Sequence, residues 1–153
     1  MGFKEAVRTC LRDKYATFSG RASRSEFWWF MLFGVLITAV FSVALVLLAG
    51  FGNIVAIGPD AVFTGGVAVI GIAFLVVSAA LIVPFIAVFV RRFHDTNLSG
   101  WWYLACIIGG FVPLIGLLAT LAPYVVGLIK GTPGDNKFGP DPLIEQNTAD
   151  VFA

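Results

Sequence analysis

The sequence predicts an all-α, polytopic membrane protein, with three transmembrane helices preceded by an N-terminal amphipathic helix at the interface. Two observations predict it. Phe27 to Ala49, Val67 to Val90 and Trp101 to Ile129 are runs of 23, 24 and 29 residues without Lys, Arg, Asp or Glu. A bilayer core takes roughly 20 apolar residues as helix, so each run is long enough to cross it. Charged residues make up 12% of the chain and hydrophobic ones 59%, whereas soluble domains carry roughly 25% charged residues. A chain of 153 residues with three such spans leaves room for a single membrane domain over residues 1–142, with 143–153 as a disordered tail.

Residues 3–14, FKEAVRTCLRDK, place Phe3, Ala6, Val7, Cys10 and Leu11 at helical spacing, with Lys4, Glu5, Arg8, Arg12 and Asp13 on the other side. The basic face suits an anionic membrane surface. Packing of the apolar side on the protein's own loops is the alternative. Cys10 and Cys106, one in this segment and one in the third run, read as small apolar fillers and not as a disulfide or a catalytic thiol.

Gly20 breaks the first helix. Ser23 and Glu26 stand three apart before an apolar run, which is the spacing of a capping box and gives Glu26 a structural role. Trp28 and Trp29 fall where interfacial aromatics belong. The first run starts only at residue 27, and its 23 residues exceed the roughly 7–15 of a signal-peptide core, so it is a retained span. Gly34, Thr38 and Ser42 form a small-residue stripe on it, through which another helix or a second copy of the chain can approach.

Residues 50–66 are Gly-rich, lack Lys and Arg, and form a loop. The second span ends in Val-Arg-Arg. The third run is too long for an upright pass: at 1.5 Å per residue it measures about 43 Å against a core of about 30 Å. Gly109, Gly110, Pro113 and Pro123 lie within it. A kinked, tilted helix starting at Trp101 and Trp102 in the headgroup layer is the favoured solution, and a broken helix or tight hairpin is the alternative. Pro and Gly in the following GTPGDNKFGPDP prevent regular secondary structure.

Lys4, Arg8, Arg12, Lys14, Arg21, Arg24, Arg91 and Arg92, eight of the ten basic residues, fall on one face of a three-span topology. The positive-inside bias makes that face, and the N-terminus, cytoplasmic. A single third span puts the tail outside, and a hairpin returns it to the cytoplasm.

In either topology, the start of span one, the end of span two and the start of span three share a face. GRASRSE (20–26) and RRFHDTNLSGWW (91–102) are therefore neighbours, bringing together Arg21, Arg24, Glu26, Arg91, Arg92, His94 and Asp95. The favoured reading is a clamp of helix ends. Arg91 and Arg92 complement a helix dipole and lipid phosphates, Asp95 pairs with Arg21 or Arg24, and Ser99 caps the third span. The same residues are candidates for binding an anionic lipid headgroup or a protein partner through the forked donors of arginine.

Two other classes stay open. His94 with Asp95 as an acid–base pair would make a lipid-modifying enzyme, but one histidine without a nucleophile is thin support. A small transporter or oligomeric channel is weakened because the three runs hold no Asp, Glu, Lys, Arg or His. No Cys/His cluster, calcium-loop spacing or phosphate-binding glycine motif is present, so neither metal nor cofactor is expected. The aromatics beside the arginines sit at span ends and mark the membrane interface, not nucleic acid.

FSGRASRSEFWWF, then RRFHDTNLSGWW, then PLIG and GTPGDNKFGPDP, occur in an order that resembles the bacterial inner-membrane family known as domain of unknown function 805, over about residues 15 to 142. That family usually has Leu at Phe93, Gly at Asn97 and a polar or basic residue at Leu98. The resemblance implies a small bacterial cytoplasmic-membrane protein and brings no activity, substrate or cofactor with it.

Overall fold

The computed structural model describes residues 1–54 and 62–144, with side chains described for all of these except 49–54 and 62–65. The expected 50–66 loop is helical at both ends, over 50–54 and 62–66; its centre and the tail from residue 145 lie outside the described residues. The elements are α1 (Phe3–Arg8), continued by a π-helical turn over Thr9–Asp13, then α2 (Arg24–Ile54), α3 (Val62–Asp95), α4 (Trp101–Gly109) and α5 (Gly116–Leu128). Two compact units divide the chain. One is Met1–Met31 together with the chain from Val83 onward, and the other is Leu32–Ile82.

The Leu32–Ile82 unit is helix throughout its described part. Phe41 and Phe74 meet at 5.2 Å between ring centroids. Val35, Val40, Val46, Val69 and Leu75 are each more than 60% exposed. Apolar faces of this extent are stable only against hydrocarbon or another apolar surface. Arg24–Leu48 and Gly66–Asp95, each with mean hydropathy 2.8, have the length and composition to cross a membrane.

The other unit has an aromatic core joining four helices. Phe27 lies edge-on to Phe89 at 5.1 Å. Phe89 stacks on Tyr103 at 4.7 Å and meets Tyr124 edge-on at 5.7 Å. α1 and the π-helical turn that continues it lay Ala6 and Cys10, both fully buried, on this unit and leave Lys4, Glu5, Arg8 and Arg12 exposed. Their apolar side therefore packs on the protein's own segments, while their basic side is free.

The third apolar run is not one kinked helix. α4 and α5 are separate and packed against each other as a hairpin. At 1.5 Å per residue, the 9 residues of α4 and the 13 of α5 reach about 14 Å and 20 Å, short of a bilayer core of about 30 Å. Small residues allow the close approach: a Cβ added to Gly109 would lie 3.0 Å from Ala119 Cβ, and one added to Gly116 would lie 2.6 Å from the Gly110 carbonyl oxygen. Much of the turn's backbone is hydrogen-bonded within it. Phe111 N donates to Ile108 O (3.2 Å), Val112 N to Gly109 O (3.0 Å) and Gly116 N to Val112 O (2.7 Å), while Pro113 has no N–H to satisfy. Much of this non-helical backbone can therefore sit among apolar surroundings with its donors bonded. Phe111 and Leu114 at the tip are 86% and 94% exposed.

The hairpin returns the chain to the end of α3, where residues 130–141 lie against the helix ends. This stretch has no helix, as its Pro and Gly content predicts, yet it is ordered by side chains. Asp141 accepts from the backbone N–H of Gly134 (3.0 Å) and Leu143 (2.9 Å), and Asp135 accepts from Asp141 N (3.1 Å). Residues 143 and 144, expected to be disordered, belong to a helical turn over 142–144.

Candidate functional site

α3 ends in a Schellman motif. Leu98 N donates to Phe93 O (2.9 Å) and Asn97 N to His94 O (3.0 Å). Asn97 has φ 61°, in the left-handed region that favours glycine and, after it, asparagine. Most carbonyls of the last turn are also taken from outside. Ala22 N donates to Arg91 O (3.1 Å), Asn136 Nδ2 to His94 O (3.0 Å), and both N and Oγ1 of Thr132 to Asp95 O (2.9 Å each). The 20–26 segment and the tail thus cap α3 jointly.

The side chains form two ion-pair groups. In the first, Asp95 binds two arginines. Arg21 Nε donates to its Oδ1 at 2.9 Å, and Arg92 Nη1 donates to its Oδ2. Arg21 spends its remaining nitrogens on the carbonyls of Gly134 and Thr132, at 2.5 Å each. Arg92 reaches the carbonyls of Ala22 (3.2 Å), Val126 (3.3 Å) and Ile129. The three side chains are at most 5% exposed. The fit is so close that a Cβ on Gly131 would collide with the Asp95 carboxylate.

In the second group, Arg91 Nη1 donates to Glu26 Oε1 at 2.5 Å, with both side chains buried. Cys10 Sγ lies 3.7 Å from Glu26 Oε1 and 3.8 Å from Arg91 Nη2. Burial, followed by the Glu26 carboxylate, pushes the Cys10 thiol up to about 12 from 9.0, so it stays protonated and is no nucleophile near neutral pH. Arg91 Nε has no partner among the described residues.

Of the residues the sequence singled out, Arg21, Arg91, Arg92, Glu26 and Asp95 come together. His94 and Asp95 do not pair with each other. His94 Nδ1 sits 3.2 Å from Gly20 O, and its ring stacks on Phe138 at 4.0 Å. Arg24 is exposed and makes no hydrogen bond or ion pair among the described residues. The capping box at α2 is half formed. Ser23 Oγ accepts from Glu26 N (3.2 Å), but the Glu26 carboxylate goes to Arg91. The N-cap position of α4 is Gly100, one residue past the expected Ser99, while Ser99 Oγ accepts from Trp101 N at 3.5 Å.

The sequence reading missed Cys10, Thr132, Asn136 and Phe138. The available signal was the alternation of Asp, Asn and Gly in GDNKFGPD, which favours turns held by side chains.

The fold and this cluster define a small α-helical membrane protein in which arginines and carboxylates knit the helix ends together. The family model described as "Protein of unknown function (DUF805)" matches residues 15–140, and the chain belongs to that family. It is 36% identical over 131 residues to inner membrane protein YhaH of Escherichia coli (strain K12), covering 86% of this chain and 91% of that protein. It is 32% identical over 133 residues to inner membrane protein YhaI of the same strain, covering 87% and 92%. No solved structure matches the chain. It is a bacterial inner-membrane protein.

Proposed function

We propose that this is a non-enzymatic inner-membrane protein whose arginine–carboxylate cluster fastens the hairpin and tail over the ends of α2 and α3. The surface so built would face the cytoplasm and bind an anionic lipid or a protein partner. One observation carries the clamp: the buried Arg21 and Arg92 divide their donors between a single carboxylate, Asp95, and backbone carbonyls of Ala22, Val126, Ile129, Thr132 and Gly134. Arginines committed in this way hold backbone segments in register. Catalysis by His94 and Asp95 gains no support, since Asp95 is held by two guanidiniums and His94 by a carbonyl and a stacked ring.

Hydrogen exchange in Asp95→Asn tests the clamp. Removing the carboxylate leaves two buried cations without a counter-charge, at about 3 kcal/mol or more. The Thr132 amide, which donates to Asp95 O, should then exchange roughly a hundredfold faster while the middle of α2 is unchanged. Unaltered protection across residues 130–141 would refute the clamp.

A further inference from the structure

Beside the clamp lies a recess of about 600 Å³, within the size range of small-molecule sites. Its lining carries four cations, Arg21, Arg24, Arg92 and Lys130, against two carboxylates, Asp95 and Asp141, an excess of two positive charges. The paired groups do not supply that excess. Asp95 is bound by Arg21 and Arg92, and Asp141 accepts from the Gly134 and Leu143 amides. The excess resides on Arg24 and Lys130, which are exposed and make no ion pair or hydrogen bond among the described residues. They come from different segments, the first residue of α2 and the chain just past α5, and converge only because the hairpin returns the tail to this face. Between and around them are the hydroxyl of Ser25 and the apolar surfaces of Trp28, Leu128 and Leu143. Trp28 is held in place by its indole N–H on Gly127 O at 3.2 Å.

We infer that this recess binds the phosphate of an anionic membrane lipid, with Arg24 and Lys130 as its ligands and Trp28, Leu128 and Leu143 against the glycerol and upper acyl chain. The inference deepens the reading above and rests on it, since the clamp holds the Lys130 side of the recess in place. The chemistry is that of any phosphate ester: a forked guanidinium and an ammonium, neither committed elsewhere, meet its oxygens. The apolar rim selects an amphiphile over a free ion. Leu128 and Leu143 are 62% and 54% exposed, surface that an acyl chain covers and inorganic phosphate does not.

The test is native mass spectrometry of the full chain with dioleoylphosphatidylglycerol. A variant carrying Arg24→Gln and Lys130→Gln is compared with one carrying Lys4→Gln and Arg8→Gln, which removes the same charge from α1. The first variant should retain the lipid roughly tenfold less well and the second as well as the parent chain. Both should fold, because all four side chains are exposed. Equal loss in the two variants, or no loss in the first, would overturn the site. Displacement of the lipid by millimolar inorganic phosphate would keep the site but overturn the lipid as its ligand. Failure of the clamp itself reads out separately. Asp95→Asn would release the tail and the lipid together, whereas the Arg24 and Lys130 variant should lose lipid with residues 130–141 still protected.

Discussion

Arg91 is fully buried, and a buried guanidinium is tolerable only with a counter-charge at hand. Glu26 supplies it across 65 residues of sequence. This is why the spacing of Ser23 and Glu26 was only half informative. The local half of a capping box, the Ser23 hydroxyl on the Glu26 amide, depends on three neighbouring residues and could be read from them. The carboxylate had a stronger bidder that no local pattern reveals. Glu26→Gln separates the two roles. A capping residue tolerates Gln, since the amide oxygen still accepts. A counter-ion does not, and Gln should destabilise the protein by about 3 kcal/mol, nearly as much as Leu. Thermal unfolding in detergent compares the two, and a Gln variant as stable as the parent chain would return Glu26 to the cap. At Asn97 the outcome was easier to foresee. Its φ of 61° completes the Schellman motif of α3, and asparagine is the usual second choice to glycine in that conformation.

At the scale of elements, α2 and α3 were legible because uninterrupted apolar length is the strongest signal a membrane helix gives. The third run was not, although its breakers were visible. Gly109, Gly110 and Pro113 are compatible with a kink or a reversal, and the choice depends on whether two short helices can pack closely enough to replace a single span. Here they can, because glycine faces small residues on both sides: Gly109 opposes Ala119, Gly110 opposes Thr120, and Gly116 lies on the Gly110 carbonyl. Gly116→Ala should therefore cost about 1–3 kcal/mol, because its Cβ would sit 2.6 Å from a backbone oxygen that cannot yield without opening the turn. Gly71→Ala is the matched control. Nothing lies within 4 Å of that Cβ, and alanine in a helix should be neutral or better. If melting of Gly116→Ala matches that of Gly71→Ala, the contact between α4 and α5 is looser than the structure shows.

For the molecule as a whole, the hairpin changes the topology. With a single third span the tail would cross to the far side, and its Lys130 and Lys137 were too few to decide the matter from charge alone. With the tail bonded to Arg21, His94 and Asp95, all ten Lys and Arg residues fall on one face, and the 50–66 connection has none. So complete a segregation is what the positive-inside bias produces, and the proposed topology would put both the N-terminal segment and residues 130–144 in the cytoplasm. Single cysteines in a Cys106→Ala background make this measurable, since the native Cys10 is buried. Lys137→Cys should resist a membrane-impermeant maleimide in intact cells and react once the inner membrane is opened. Gly58→Cys should react from the periplasm without that step. Labelling of Lys137→Cys in intact cells would require the third run to cross after all, and would separate the tail from Arg21 and Asp95 by the thickness of the bilayer. The clamp and the recess beside it would then fall together with the topology, because both depend on the chain returning to the face from which α4 departs.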